Sequence, residues 1–204
     1  MQNNLATSVA TLSPAPKVLR ADGKPWTAAS LSTVHVANSY LLGGVGRVFA
    51  ELCRCLPAEG VRFAGAVAEP DDVHVLSDGR VQLFASATTG MKTRLKNGRR
   101  TLLQLIETEK ADILVSHFAL YAAPILDKLS GRRGYAFVNH FHGPWAAESV
   151  EAGAAARAAL VKKYVERFVY QRADRIVVLS QAFARVAVEQ YRISEDRIGL
   201  PHGS

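Results

Sequence analysis

Cysteine is nearly absent from this chain: two of 204 residues, Cys53 and Cys55. On a helix, positions two apart face different sides, so this pair neither bridges nor chelates well. Without a disulfide framework, a reducing, cytoplasmic setting is expected. No uninterrupted apolar run reaches the roughly 18 residues that a membrane-crossing helix needs. No basic residue precedes Lys17, and the Asn/Thr/Ser/Ala/Pro-rich start from Met1 to Pro16 has no apolar core. That argues against a secretory signal and for a disordered or irregular extension over residues 1–30. Acidic residues are missing from Gly79 to Ile106, where Arg80, Lys92, Arg94, Lys96, Arg99 and Arg100 all fall.

What is present suits a folded domain. The hydrophobic share is 49%, the charged share 21%, and the net charge is +7. A chain of this length can bury roughly 70% of its unfolded surface. Its positive charge admits nucleic acid, an anionic membrane surface or a phosphorylated small molecule as partner. Nucleic acid is disfavoured, because no aromatics interleave with the basic run and no recognition-helix module is visible.

Apolar runs and helical patterns alternate along the chain. Strands are predicted over Thr33–Val36, Arg62–Val67, Val81–Phe84, Ile113–Val115, Tyr135–Val138 and Ile176–Leu179, with a last one starting at Ile198. Between them the spacing predicts a helix from Arg47 to Leu56, punctuated by Pro57 and Gly60, and one from near Arg94 to Ile106. Further helices are expected over Tyr121–Leu129, Ala147–Ala173 with a bend at Gly153, and Gln181–Tyr191 with Ser180 as N-cap. Within the long one, Leu160, Val161, Tyr164, Val165 and Phe168 recur at helical spacing and define the expected buried stripe. This alternation specifies an α/β fold: a single Rossmann-like domain over residues 31–204, with a mostly parallel sheet and helices on both faces.

The stretch Asn139-His140-Phe141-His142-Gly143-Pro144-Trp145-Ala146-Ala147-Glu148 sits where a strand meets a helix. In open α/β sheets ligands bind at such places. His140 and His142 project to one side if the run stays extended, and Gly143-Pro144 makes the turn. Trp145 reads as packing. Glu148 and Glu151 near the helix start, with Lys162, Lys163, Arg167 and Arg172 toward its end, are explained by the helix dipole. A zinc site pairing His140 with His117 lacks a placed third ligand, so no metal is assigned.

A second loop, Gly43-Gly44-Val45-Gly46, follows the first strand. Glycines there let backbone approach a phosphate or sugar and expose N–H groups at a helix start. The Walker A pattern fails, since Arg47-Val48 follows Gly46. The dinucleotide pattern begins at Gly44 and Gly46 but meets Phe49 at its third glycine, where a large ring blocks close helix–strand packing. Glu69, ending the second strand, is the candidate ribose-binding acid of that competing reading. Ser116 and His117 end the fourth strand, and His35 and Asn38 the first, at positions suited to acceptor contact.

Taken together, Gly43-Gly44-Val45-Gly46-Arg47, the stretch from His140 to Glu148, and the tail from Tyr170 through Val178-Leu179-Ser180 to Pro201-His202-Gly203 resemble the amino-terminal domain of family 4 glycosyltransferases of the GT-B fold. The likeness covers about Thr33 to Gly203. It implies one half of a two-domain enzyme, the acceptor-side half, in a retaining transfer from a nucleotide-sugar to a lipid or glycan. It implies that Gly44 to Gly46 lie beside the donor diphosphate and that His142 faces the transferred sugar or phosphate. The same resemblance implies a metal-free step without a bound cofactor, the nucleotide-sugar being a substrate. His142 is thus the expected catalytic residue, with Gly43, Gly44, Gly46, His140, His117, Ser116 and Asn38 as substrate contacts. Lys92, Arg94, Lys96 and Arg99 are the expected contacts to an anionic acceptor or to the inner face of a membrane.

The chain departs from that family after Pro201-His202-Gly203-Ser204, where a donor domain with paired glutamates eight positions apart is expected. Glu51 and Glu59 share the spacing by coincidence, being on the first helix. Catalysis requires both substrates held together, so this chain alone is expected to be inactive. It then reads as a fragment, a degenerate product, or one half of a two-chain enzyme whose partner supplies the donor domain.

Overall fold

A computed structural model describes residues 31–200, apart from 87, 127–133 and 154. The expected amino-terminal extension, the last residues of the helix sought over Tyr121–Leu129, the start of the loop after it, and the Pro201–Ser204 end lie outside the described residues.

The described chain alternates seven strands with helices. They are β1 (Ser32–Val36), α1 (Gly43–Ala58), β2 (Arg62–Val67), α2 (Val73–Leu76), β3 (Val81–Leu83), α3 (Met91–Thr108), β4 (Ile113–Ser116) and α4 (Ala119–Leu126). Next come β5 (Ala136–Phe141), α5 (Trp145–Glu151), α6 (Ala156–Tyr170), β6 (Arg175–Val178), α7 (Gln181–Tyr191), a 3-10 turn at Glu195–Arg197, and β7 (Ile198–Gly199). The sheet order is β3-β2-β1-β4-β5-β6-β7, and every pairing is parallel. Chain direction across the sheet therefore reverses between β1 and β4. Loops leave the carboxyl ends of those two strands toward opposite sides, opening a crevice where ligands bind in such sheets.

Parallel strands with both faces covered read as continuous apolar runs, and β1 is buried at all five positions. Val34, Val36, Ala64 and Ala66 belong to the larger apolar layer, which takes in residues of α3, α4, α6 and α7. Phe63, Val67 and Val81 lie on the other face with Phe49, Ala50 and Cys53 of α1. Phe49 does not keep α1 off the sheet as its size suggests. A Cβ added at Gly65 on β2 would come within 2.7 Å of the Phe49 ring. The glycine that makes room for close helix–strand packing stands on the neighbouring strand instead of in the helix.

Two expectations about the carboxyl-terminal half are corrected. The long helix is broken: α5 ends at Glu151, Gly153 takes a left-handed φ of +84°, and α6 restarts at Ala156. The buried stripe of α6 is only in part the one expected: Val165 and Phe168 are half-buried, Phe168 against the core, but the other three positions are not. Leu160, Val161 and Tyr164 are 69%, 64% and 73% exposed, while Ala159, Glu166, Val169 and Tyr170 face inward. What turns the helix is Glu166, fully buried, whose carboxylate accepts hydrogen bonds from Tyr170 at 3.2 Å, Tyr191 at 2.9 Å and the Ala146 backbone N–H at 3.2 Å. Three donors on one carboxylate outweigh the apolar surface left outside. Ser180 caps α7 as expected, accepting from the Phe183 N–H.

Candidate functional site

The glycine loop is itself the first turn of α1, which begins at Gly43, four residues earlier than the apolar spacing suggests. Leu42 at the N-cap offers no side-chain acceptor, and no acidic residue lies in the first turn. The orphan N–H groups of this helix end therefore face outward uncapped. Each glycine has a different reason. Gly43 has a φ of +67°, which side-chain-bearing residues rarely adopt. At Gly46 a Cβ would lie 3.0 Å from Ser39 Oγ and 3.2 Å from Leu41 backbone. At Gly44 a Cβ would meet nothing within 4 Å. Neither backbone conformation nor packing calls for a glycine there; what it leaves bare is a wall of a hollow.

That hollow, of about 420 Å³, is lined by Gly43, Gly44, Val45, Asn38, Tyr121 and Trp145 among others. A second, of about 100 Å³, adjoins it across the shared residues Val45, Phe118 and Trp145, and is walled by His117, His140, His142, Gly143 and Glu148. The uncapped helix end thus lines the larger hollow and the His142 imidazole the smaller one, and the two hollows meet at Val45, Phe118 and Trp145.

The histidines arrive there by strand register. His35, Val115 and Val138 form one row across β1, β4 and β5; His117 and His140 follow two residues on, pointing to the same face. His35 Nδ1 lies 3.1 Å from His117 Nε2, and His117 Nδ1 lies 3.3 Å from His142 Nε2. The rings of His117 and His140 are 4.5 Å apart. Among the described residues, His117, His140 and His142 each bring a ring nitrogen within 4.8 Å of the others, so the third ligand that sequence spacing could not place is His142. Burial holds all of these rings neutral. Desolvation, then the neighbouring His140, pushes His35 down to about 3. Desolvation, then His142, lowers His140 to about 4, and desolvation alone lowers His142 to about 4. His117 is driven well below its ordinary value by burial, with its three histidine neighbours adding to it. Neutral imidazoles present one N–H and one bare nitrogen each.

Other expected contacts are placed differently. Ser116 is fully buried and points to the face opposite the histidines, where its hydroxyl donates to the Phe118 carbonyl at 3.0 Å; period-two alternation removes it from the hollow. His35 is 2% exposed, packed against Phe49 and Phe63 behind His117, and so does not reach an acceptor. Asn38 does line the larger hollow, but its amide donates to Glu69 at 2.8 Å and accepts from Tyr121 at 3.0 Å. It braces the wall and engages Glu69, the acid of the competing reading. Among the basic residues, Arg94 donates to the Thr89 and Ser86 carbonyls and Arg99 to the Pro124 carbonyl. Lys92 and Lys96 are exposed.

Three residues not counted in the site belong to its walls. Trp145 lines both hollows, packed edge-on to Phe118 with Lys162 Nζ over its ring at 4.7 Å. Glu148, explained above by the helix dipole alone, lays its carboxylate over Gly143, whose φ is +147° and whose missing Cβ makes the space. Glu166 closes the floor of the smaller hollow. The spacing of Gly143 and Glu148, five residues apart across a turn, was the available signal for the second. For Glu166 the one local partner is Tyr170, four residues on, while Tyr191 and Ala146 are 25 and 20 residues distant.

The profile of Glycosyltransferase Family 4 matches residues 42–200. Among solved structures, the chain is similar to a glycosyltransferase from Rickettsia africae ESF-5, at TM-score 0.58 and 18% identity over 83% of this chain and 42% of that one. Sucrose-phosphate synthase from Thermosynechococcus elongatus aligns at TM-score 0.62 and 14% identity, over 85% of this chain and 48% of that one. The lipopolysaccharide outer core galactosyltransferase WaaB in its apo form aligns at TM-score 0.54 and 11% identity, over 83% and 44%. At these identities the likeness concerns the fold. The chain spans less than half the length of each of these structures. No curated protein matches it.

Proposed function

Because the chain belongs to glycosyltransferase family 4, we propose that it forms the acceptor-side half of a retaining enzyme that moves a sugar from a nucleotide-sugar to a lipid or glycan. The observation that carries this reading is Gly44: a glycine without structural cause, on an uncapped helix end, lining a hollow that adjoins the one walled by the neutral His142 imidazole. Backbone N–H groups at a helix start stabilise an anion through the dipole and through direct bonds. Aimed at the donor diphosphate, they favour the charge that develops as it leaves. His142 keeps one N–H to give to an oxygen of the sugar or phosphate, with His117 and His140 behind it fixing the ring. The step as proposed uses no bound metal. It requires a donor-binding counterpart across the cleft, in this or a partner chain, and without that counterpart transfer does not proceed at a useful rate.

Lys92 and Lys96 at the start of α3, with Met91 at 51% and Leu42 at 54% exposed on the rim of the larger hollow, suit an acceptor with both anionic and apolar parts, presented at an anionic membrane surface. No helix among the described residues is long and apolar enough to cross a membrane. Replacing both lysines by Gln is expected to reduce binding to vesicles containing phosphatidylglycerol, and undiminished binding removes the membrane proposal. The competing nucleotide-module reading has against it the Asn38–Glu69 bond, which occupies the acid needed for the ribose.

Titration of the isotope-labelled chain with pyrophosphate, with uridine, adenosine and guanosine diphosphate-sugars, and with NAD tests the reading. Amide shifts centred on Gly43 to Gly46, together with a perturbed His142 ring, are expected for the diphosphates. Tight NAD binding, or diphosphate-sugar shifts centred elsewhere, would overturn it.

A further inference from the structure

We infer that His117, His140 and His142 bind a zinc-type divalent ion, a property separate from the metal-free transfer proposed above. Three observations on this chain converge. The first is distance. Two nitrogens bound to one tetrahedral zinc lie roughly 3.3 Å apart, given a Zn–N bond of about 2.0–2.1 Å, and His117 Nδ1 and His142 Nε2 are separated by 3.3 Å. The third ring nitrogen, from His140, falls within 4.8 Å of both, so the His140 ring has to move toward the other two to complete the set.

The second is an orphan. His140 Nδ1 is buried without a hydrogen-bond partner. An unmet polar atom of this kind is destabilising, and a metal bond satisfies it. The third is support behind the ligands. Zinc-bound histidines donate their other N–H to an outer partner that fixes the ring. His117 Nε2 lies 3.1 Å from His35 Nδ1, which accepts that proton when His117 coordinates through Nδ1. Each imidazole keeps its single proton on the nitrogen away from the ion, so binding by neutral rings balances without proton release.

All three ligands sit on, or directly after, paired strands, and all three line the smaller hollow, where Glu148 also lies. Three imidazoles with one open position suit zinc, cobalt(II), nickel or copper rather than magnesium or calcium, which prefer oxygen.

The test uses the purified, tag-free chain after dialysis against chelator. Titration with ZnCl₂ by calorimetry is expected to show one equivalent bound, and CoCl₂ to give the intense visible absorption of four-coordinate cobalt. His140→Ala and His142→Ala each weaken zinc at least about 100-fold, and His35→Asn, which spares the ligands, weakens it by about 10–100-fold. His74→Ala, outside the cluster, changes nothing. His142→Cys guards against variants that fail to fold: it retains zinc and adds a sulfur-to-cobalt charge-transfer band in the near ultraviolet. Unchanged zinc affinity in folded His140→Ala and His142→Ala, or octahedral cobalt spectra in the parent chain, overturns the inference. Neither result bears on diphosphate binding at the glycine turn.

Discussion

Substituting alanine at Gly44 and at Gly46, one at a time, separates a glycine kept for a ligand from a glycine kept for the fold. At Gly44 the backbone is helical and the added methyl meets nothing within 4 Å. The fold should gain up to about 1 kcal/mol, because alanine has less chain entropy to lose and the higher helix propensity. At Gly46 the methyl is set 3.0 Å from Ser39 Oγ and 3.2 Å from two backbone atoms of Leu41. Ser39 can turn only by releasing its bond to the Leu42 carbonyl, and Leu41 N–H is tied to the Gly46 carbonyl at 3.0 Å. Overpacking of this kind costs about 1–3 kcal/mol. A kcal/mol moves the melting temperature of a domain this size by roughly 2–4 °C. The two variants should therefore move in opposite directions in the same thermal scan.

Ligand binding then gives the second coordinate. Gly44→Ala puts a methyl where a diphosphate oxygen would meet the N–H groups, so it should weaken nucleotide-sugar or pyrophosphate binding by at least tenfold while raising the melting temperature. A stabilised Gly44→Ala chain that binds diphosphates as before would refute close approach at this turn. A destabilised one would show that the glycine has a structural cause after all.

Acid should destabilise the fold through its buried histidines. His35 is held neutral down to about 3 against 6.5 ordinarily, so its contribution is complete above 6.5 and drains as pH falls toward 3. At pH 5 the loss is roughly 2 kcal/mol from this ring alone, and His117 acts in the same direction. Urea midpoints in chelator-treated buffer should fall between pH 7.5 and pH 5, and fall less in His35→Asn; an equal fall in both would remove His35 from the account. Gly143→Ala should destabilise by about 1–3 kcal/mol, from positive φ and from collision with the Glu148 carboxylate. Adding Glu148→Ala should restore only the collision part, and full restoration would refute the strain argument. Glu166→Gln should cost under about 1 kcal/mol, since its oxygen can serve Ala146 and Tyr191 while its amide donates to Tyr170. Glu166→Ala leaves three buried donors unmet and should cost about 2–4 kcal/mol in denaturant melts; equal effects would mean those bonds contribute nothing.

The fold class was legible because both faces of the sheet are covered. Short β-branched runs such as Thr33–Val36, buried at every position, alternate with helical patterns along the chain, which is the signature of an α/β arrangement. The pairing of His140 with His142 on one face followed from the strand repeat alone. The same repeat, applied from Val36 through the β1–β4 register, would have sent Ser116 to the opposite face, but that register is a tertiary fact. So is the row that brings His117 beside His140, and hence the third imidazole.

The error on α6 has a different origin. Leu160, Val161 and Tyr164 are spaced for a buried stripe, and apolar periodicity weighs each position by its own transfer cost. Glu166 overrides that weighting because its cost is met elsewhere: Tyr170 supplies one donor from a turn away, Tyr191 a second from α7, and Ala146 a third from the start of α5. Once that carboxylate points inward, helical geometry sends Leu160, Val161 and Tyr164 outward. The bond from Ala146 also ties the start of α5, and with it Trp145 and Glu148, to the same carboxylate. A single buried carboxylate thus sets both the phase of α6 and one wall of the site. A reader of local pattern loses both together, since neither follows from any window of neighbouring residues.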